Sequence, residues 1–255
     1  MLRRALLSAA TVASVGGCGT DAGDASHCTA KPDMGIACGT SGAFDRTLCV
    51  DGIDRVFREY IPSSVACDRP APMIVFLHGL GGDEASGDVA RPVAEALGAL
   101  FVTPRGVDQG GALGFGPEGI PNSQTFLTTI LDKLEREFPT DPALTLLTGF
   151  SNGGVFASYS IVWYNERLAG VGVFASGLAE NITSDLRAAP VKLPVVVRVG
   201  DADAVYQPLA DELVTQLLGA GWPAARVDSR RFAGGHAWSP DMIRETFDLA
   251  KAAPL

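Results

Sequence analysis

The chain has 255 residues, 47% hydrophobic and 19% charged, a globular composition rather than a disordered one, and a length that admits one large α/β domain or two small ones. Lys and Arg number 20 against 29 Asp and Glu, a net charge of −9, and an acidic surface repels phosphate backbones, which argues against a nucleic-acid partner. No uninterrupted apolar run reaches the roughly 18–20 residues that a membrane-spanning helix needs.

Residues 1–17 have the layout of an export signal: Arg3 and Arg4, then a small and apolar stretch over 5–15 with no acidic residue. Val15-Gly16-Gly17-Cys18 resembles a bacterial lipobox, in which Cys18 becomes the lipidated first residue. The expected location is therefore an outer-membrane or cell-surface lipoprotein, touching the membrane only through that lipid, or otherwise a secreted protein. Residues 18–40 read as a tether and a disulfide-stapled extension. The other four cysteines, Cys28, Cys38, Cys49 and Cys67, are an even set, as expected of two disulfides formed in an oxidising compartment. Three pairings are open, with Cys28–Cys38 and Cys49–Cys67 preferred. No CxxC spacing occurs and histidines are few, so neither a metal site nor a cofactor is expected.

Residues 41–255 read as one α/β domain. Strand-like runs over 47–50 and 55–61 flank Asp51-Gly52, a hairpin signal. The continuously apolar run 73–77 predicts a strand buried on both faces. A helix over 89–97, a strand over 99–103 and a helix over 123–138 follow, the last stopped by Pro139. Then come a strand over 144–147, a helix over 153–164, strands over 171–175 and 194–199, a helix over 206–218, a strand over 225–232 and a helix over 241–251. Such alternation predicts a mostly parallel sheet with helices on both faces and the hairpin as an antiparallel addition at one edge. The stretch 106–121 holds six glycines and reads either as a floppy surface loop or as a loop bordering a site at the strand ends.

Four motifs carry chemistry. Gly149-Phe150-Ser151-Asn152-Gly153-Gly154 follows a predicted strand and opens a predicted helix, the context in which G-x-S-x-G places a nucleophilic serine on a sharp turn. His78-Gly79-Leu80-Gly81-Gly82 follows the first buried strand. Its loop can bring the backbone N–H of Leu80 beside that of Asn152 as an oxyanion hole. A phosphate cradle fails there because Glu84 stands where the third glycine of G-x-G-x-x-G belongs. Gly200-Asp201-Ala202-Asp203 ends another strand and offers two acids. Asp203 is favoured, being further past the strand end, and the unused aspartate is expected to cap the following helix. Gly234-Gly235-His236-Ala237-Trp238 supplies the base by elimination: His27 lies in the tether, and His78 suits ordering its loop. The order Ser151, Asp203, His236 is that of α/β hydrolases.

Together with Val50-Asp51-Gly52, Arg58-Glu59-Tyr60-Ile61-Pro62 and Pro139-Thr140-Asp141-Pro142, these motifs resemble the secreted poly(3-hydroxybutyrate) depolymerase and feruloyl/acetylxylan esterase group, over about residues 45–250. The resemblance implies an α/β-hydrolase fold and metal-free cleavage of carboxylic esters. Its motifs put the nucleophile on Ser151, the acid on Asp203, the base on His236 and the oxyanion donors on Leu80 and Asn152. The implied partner is an ester substrate, polymeric or derived from plant cell walls. The stretch 114–122 lacks the aromatic, Asp-rich sequence common before the helix in that group. Only 52 positions separate Ser151 from Asp203, too few for a large lid, so an open cleft is expected. Trp163, Tyr164 and Trp238 are candidates to line it, with Phe150 and at least one of these three better placed in the core. Rival readings are a serine peptidase, a small phospholipase or carboxylesterase, and a non-catalytic binding protein on the same fold.

Overall fold

The computed structural model describes residues 28, 33, 35–116 and 120–254. The stretch expected to be an export signal, residues 1–17, and Cys18 lie outside the described residues. In chain order the elements are β1 (Gly42–Val50), β2 (Ile53–Ile61), β3 (Ala71–Leu77), α1 (Arg91–Leu97), β4 (Leu100–Pro104), β5 (Val107–Asp108), β6 (Leu113–Gly114), α2 (Ile120–Glu137), β7 (Thr140–Phe150), α3 (Asn152–Trp163), β8 (Gly170–Phe174), α4 (Thr183–Ala188), β9 (Val195–Gly200), α5 (Gln207–Gly219), β10 (Val227–Phe232) and α6 (Pro240–Ala252). Eight strands form one sheet in the order β1-β2-β4-β3-β7-β8-β9-β10. The β1–β2 and β2–β4 pairs are antiparallel and the rest parallel. This is the α/β-hydrolase architecture with the expected N-terminal hairpin, and Asp51 and Gly52 both take the positive φ of a type I′ turn.

Side-chain alternation divides the core between the two faces of the sheet. Met73, Val75 and Leu77 of β3 pack with α2, α3 and α5, through Phe126, Ile130, Phe156, Ile161 and Leu213 among others. Ile74 and Phe76 point the other way, into Val93 and Ala94 of α1 and Ile243 and Phe247 of α6. Strands β4, β8 and β9 are buried throughout, which is why they read as short, mainly apolar runs. Edge strand β10 is largely exposed and carries Arg230 and Arg231 outward.

Three differences from the sequence reading have simple causes. Strand β7 is eleven residues long, not four, because its first residues are polar and half-exposed and give no apolar signal. Helix α2 starts three residues before the expected Ser123, with Pro121 in its first turn, where a missing N–H costs nothing. Helix α4 was not anticipated; it is one and a half turns long and buries Leu186.

The disulfides are Cys28–Cys49 and Cys38–Cys67, each with Cα atoms 5.6 Å apart, which corrects the preferred pairing. In the hairpin, Gly42 faces Ile61 and Cys49 faces Asp54. Cys38, just before β1, therefore lies at the same end as Cys67, just after β2. Cys49 lies at the other end, about 23 Å away at strand rise, far beyond disulfide reach of Cys67.

Beneath the hairpin a buried Arg46 gathers three carboxylates. It donates to Glu59 at 2.6 Å, to both oxygens of Glu137 on α2 and to Asp33. Lys133 completes the group from the next turn of α2.

Candidate active site

Strand β7 sits in the middle of the sheet and ends at Phe150, so the next residue emerges at the carboxyl edge of the sheet, where open α/β sheets place their ligands. That residue is Ser151, at φ 54° and ψ −117°, a conformation costing a β-carbon-bearing residue on the order of 1–3 kcal/mol. Its surroundings hold it there. The Ser151 N–H donates to the Phe174 carbonyl at 2.9 Å, and the Ser176 hydroxyl donates to the Ser151 carbonyl at 2.8 Å. Two glycines make the turn sterically feasible. A Cβ on Gly149 would lie 2.3 Å from the Gly153 carbonyl oxygen, and one on Gly153 would lie 2.3 Å from that of Leu77.

The other two motifs converge on this serine from strands further along the sheet. The loop after β9 brings Asp203, and the loop after β10 brings His236. The ring Nε2 is 2.8 Å from Ser151 Oγ, and Nδ1 is 2.8 Å from Asp203 Oδ2. A carboxylate only accepts, so Nδ1 carries the proton and Nε2 is left to accept from the serine hydroxyl. Asp203 is buried, while the His236 side chain is 38% exposed. The second Asp203 oxygen accepts from the Tyr206 N–H at 3.2 Å.

The two loops are zipped together. Asp201 N–H donates to Phe232 O and Ala202 N–H to Gly234 O, both at 2.8 Å. The Asp201 carboxylate accepts from the Gly234 N–H at 2.9 Å. Asp201 thus clamps the histidine loop rather than capping α5, the role expected of the unused acid.

His78 is buried and fixed in one tautomer. Nδ1–H donates to the Gly79 carbonyl at 2.7 Å, and Nε2 accepts from the Gly106 N–H at 2.9 Å. Burial holds its pKa below the usual histidine value. The loop it orders reaches Ser151: a Cβ on Gly79 would lie 3.4 Å from the Ser151 Cβ. The glycine-rich stretch is not a floppy loop where it is described. Its β5–β6 hairpin accepts from Gly81 N–H at Leu113 O, and Phe115 N–H donates to Asn152 Oδ1 at 2.5 Å. Leu80 and Asn152 thus meet around Gly114, whose added Cβ would touch both side chains.

A recess of about 170 Å³ lies between the loop after β3 and the residue preceding Ser151, lined by Phe76, Phe150, Trp238, His78 and Leu80 among others. Trp238 packs on Phe76 at 4.2 Å. Trp163 and Tyr164 do not share it. They lie at the far end of α3, about 18 Å along the axis from Ser151 at helical rise. Tyr164 is buried with its hydroxyl on the Gln124 carbonyl. The sequence reading also missed two aromatic neighbours of the histidine. Phe150 and Tyr206 stand 4.9 and 4.7 Å from its ring. Phe150, expected in the core, does pack against it and reaches the histidine as well, whereas Tyr206 reads in the sequence only as a helix start.

Comparison with known proteins bears on the family and the fold. An acetylxylan esterase/xylanase from Neocallimastix patriciarum is 27% identical over 121 residues, which is 46% of this chain and 17% of that bifunctional protein; the chain thus spans about a sixth of the curated relative it matches. Among solved structures, a ferulic acid esterase superposes with a TM-score of 0.66 at 17% identity, over 86% of this chain and all of that one. A ferulic acid esterase from Anaeromyces mucronatus, solved with ferulic acid, gives 0.63 at 16% identity, over 85% and 92% of the two chains. A thermostable esterase gives 0.63 at 19% identity, over 84% of this chain and 63% of that one. At these identities the superpositions speak to the fold. The phospholipase/carboxylesterase family model matches residues 117–249, just over half of the chain and the part that contains Ser151, Asp203 and His236, so the protein belongs to the phospholipase/carboxylesterase family of α/β hydrolases.

Proposed function

We propose that the protein hydrolyses carboxylic esters through an acyl-enzyme on Ser151. The observation that carries this reading is the continuous hydrogen-bonded line from Ser151 Oγ through His236 to Asp203, with both links at 2.8 Å. His236 takes the serine proton as Oγ bonds to the ester carbon, and the carbonyl electron pair moves to oxygen. The backbone N–H groups of Leu80 and Asn152 receive that oxyanion; Asn152 is the first residue of α3, whose opening N–H groups have no partner within the helix. His236 returns the proton to the departing alcohol, then activates water to release the acid.

The substrate class proposed is an ester of a bulky or polymeric alcohol, with acetyl and feruloyl esters of plant-cell-wall polysaccharides first. Two observations favour it over a buried lipase tunnel: the His236 side chain is open to solvent, and Leu80 is 58% exposed. The names of the acetylxylan and ferulic acid esterase relatives point the same way. The test is a panel of p-nitrophenyl acetate, methyl ferulate, acetylated xylan, hydroxybutyrate oligomers and peptide anilides. Turnover of the esters and none of the anilides is expected. Preferential cleavage of anilides would turn the reading to a peptidase.

The same proposal covers the N-terminal region: residues 1–17 as a cleaved signal, 18–40 as tether and extension, and Cys18 as the lipidated first residue. The two disulfides fit export to an oxidising compartment. Mass spectrometry of the mature protein should find Cys18 diacylated at the N-terminus. A mature N-terminus elsewhere, with Cys18 unmodified, contradicts it.

A further inference from the structure

Two aromatic rings flank the imidazole of His236, and the ester-hydrolase reading of Ser151 and His236 assigns them no part. Phe150 comes from the serine elbow, with its ring centroid 4.9 Å from that of the imidazole and the planes 36° apart. Tyr206 comes from the acid loop, at 4.7 Å and 19°. Tyr206 also donates its backbone N–H to the Asp203 carboxylate, so one residue touches both the acid and the base. Each ring also packs against one of the two core clusters, Tyr206 on one face of the sheet and Phe150 on the other. Both side chains are only half-buried, and the exposed side of His236 is otherwise open to water, which competes for a developing cation.

Before reaction the imidazole is neutral. As the Oγ–carbon bond forms, the Ser151 proton moves to Nε2 and the ring becomes a cation, while the negative charge collects on the former carbonyl oxygen. An aromatic face attracts a cation within about 6 Å of its centroid and gains much less from a neutral ring. Two such faces therefore stabilise the transition state more than the resting site, which is the condition for raising kcat rather than tightening binding.

We infer that Phe150 and Tyr206 are positioning residues that hold the imidazole of His236 in line and stabilise the imidazolium formed when it takes the Ser151 proton. This rests on Ser151 and His236 acting as proposed above.

The test separates ring electrostatics from packing. Tyr206 and Phe150 are each replaced by Leu; Tyr206 is also replaced by Phe, and then position 206 by mono-, di- and trifluorinated phenylalanine, which keep the shape while draining the ring face of negative potential. Steady-state kinetics use soluble p-nitrophenyl acetate, thermal unfolding reports folding, and Ser151→Ala runs alongside. Each Leu variant should lose about three- to thirtyfold in kcat with KM nearly unchanged. Tyr206→Phe should stay within about twofold of wild type, since the face is retained. Log kcat should fall stepwise with fluorine count at constant Tm. A flat fluorine series, or Leu effects confined to KM and Tm, overturns the inference. Should a Leu variant fail to fold, the near-isosteric fluorinated series still decides. If Ser151→Ala retains activity, the underlying reading fails as well; if it is inactive and the fluorine series is flat, only the aromatic clamp fails.

Discussion

Both oxygens of the Asp203 carboxylate are committed, one to the His236 ring and one to the Tyr206 N–H, whereas Asp201, two positions earlier, is exposed and holds the Gly234 N–H. Their substitutions should therefore separate. Asp203→Asn removes the charge that fixes the histidine tautomer and balances its cation; in a serine-protease triad the same change costs on the order of 10⁴ in kcat. Asp201→Asn keeps an amide oxygen for Gly234 and should cost less than about tenfold, or 1.4 kcal/mol of barrier. The reverse pattern in kcat would make Asp201 the acid. At this scale the sequence was informative wherever spacing carries the geometry. G-x-S-x-G needs glycines at both flanks for steric reasons that recur in any such elbow, and only one histidine followed both the serine and the acids. The rings around His236 were not legible, because Tyr206 meets it across 30 residues through the docking of two loops. Trp163 and Tyr164 misled for the converse reason: closeness to the serine in sequence becomes distance along a helix.

The hairpin of β1 and β2 is fastened to α2 by Arg46, and this group makes the elements pH-sensitive. Burial pushes the Glu59 carboxyl up to about 7 even though Arg46 donates to it, and its second oxygen has no hydrogen-bond partner among the described residues. Burial acts the same way on Asp33 and Glu137, but hydrogen bonds and charge from Arg46, together with Lys133, outweigh it and hold both below their ordinary values. For Glu59 the folded chain binds a proton more tightly than the unfolded one, so its stabilising contribution is complete below pH 4.5 and is lost as pH rises through about 7. Asp33 and Glu137 act in the opposite sense, and their contribution is lost on acidification. In Glu59→Gln the first effect disappears. The variant should gain stability over wild type as pH rises from 4.5 to about 7, by at most about 3 kcal/mol, read as a growing difference in unfolding free energy. A pH-independent difference would show that Glu59 ionises freely in place. Strands with continuous apolar runs were readable in advance, and so were the amphipathic helices α2 and α6. The polar start of β7 and the disulfide pairing were not, because the first lacks a hydrophobic signal and the second depends on which end of a hairpin each cysteine reaches.

Across the whole molecule, sheet order does the positioning. Strands β7, β9 and β10 lie close together on one side of the sheet and all run the same way, so the loops that follow them open at one edge and deliver Ser151, Asp203 and His236 to one place. The loop after β3, next to β7 on its other side, brings Leu80. Alternating strands and helices made this topology readable, since parallel strands require crossovers and put their carboxyl ends together. The glycine-rich stretch could be placed only by the fold, through the hydrogen bonds that join Gly106 to His78, Leu113 to Gly81 and Phe115 to Asn152. The central claim is that Ser151 carries the acyl group. Its most direct measurement is acid-quenched trapping with p-nitrophenyl acetate, followed by peptide mapping, on wild type and on folded Ser151→Ala. Acetylation of the Ser151 peptide in wild type, with no adduct and a loss of several orders of magnitude in kcat for the variant, is the result expected. An acetyl group on another residue, or a Ser151→Ala variant within tenfold of wild-type turnover, about 1.4 kcal/mol of barrier, would contradict it.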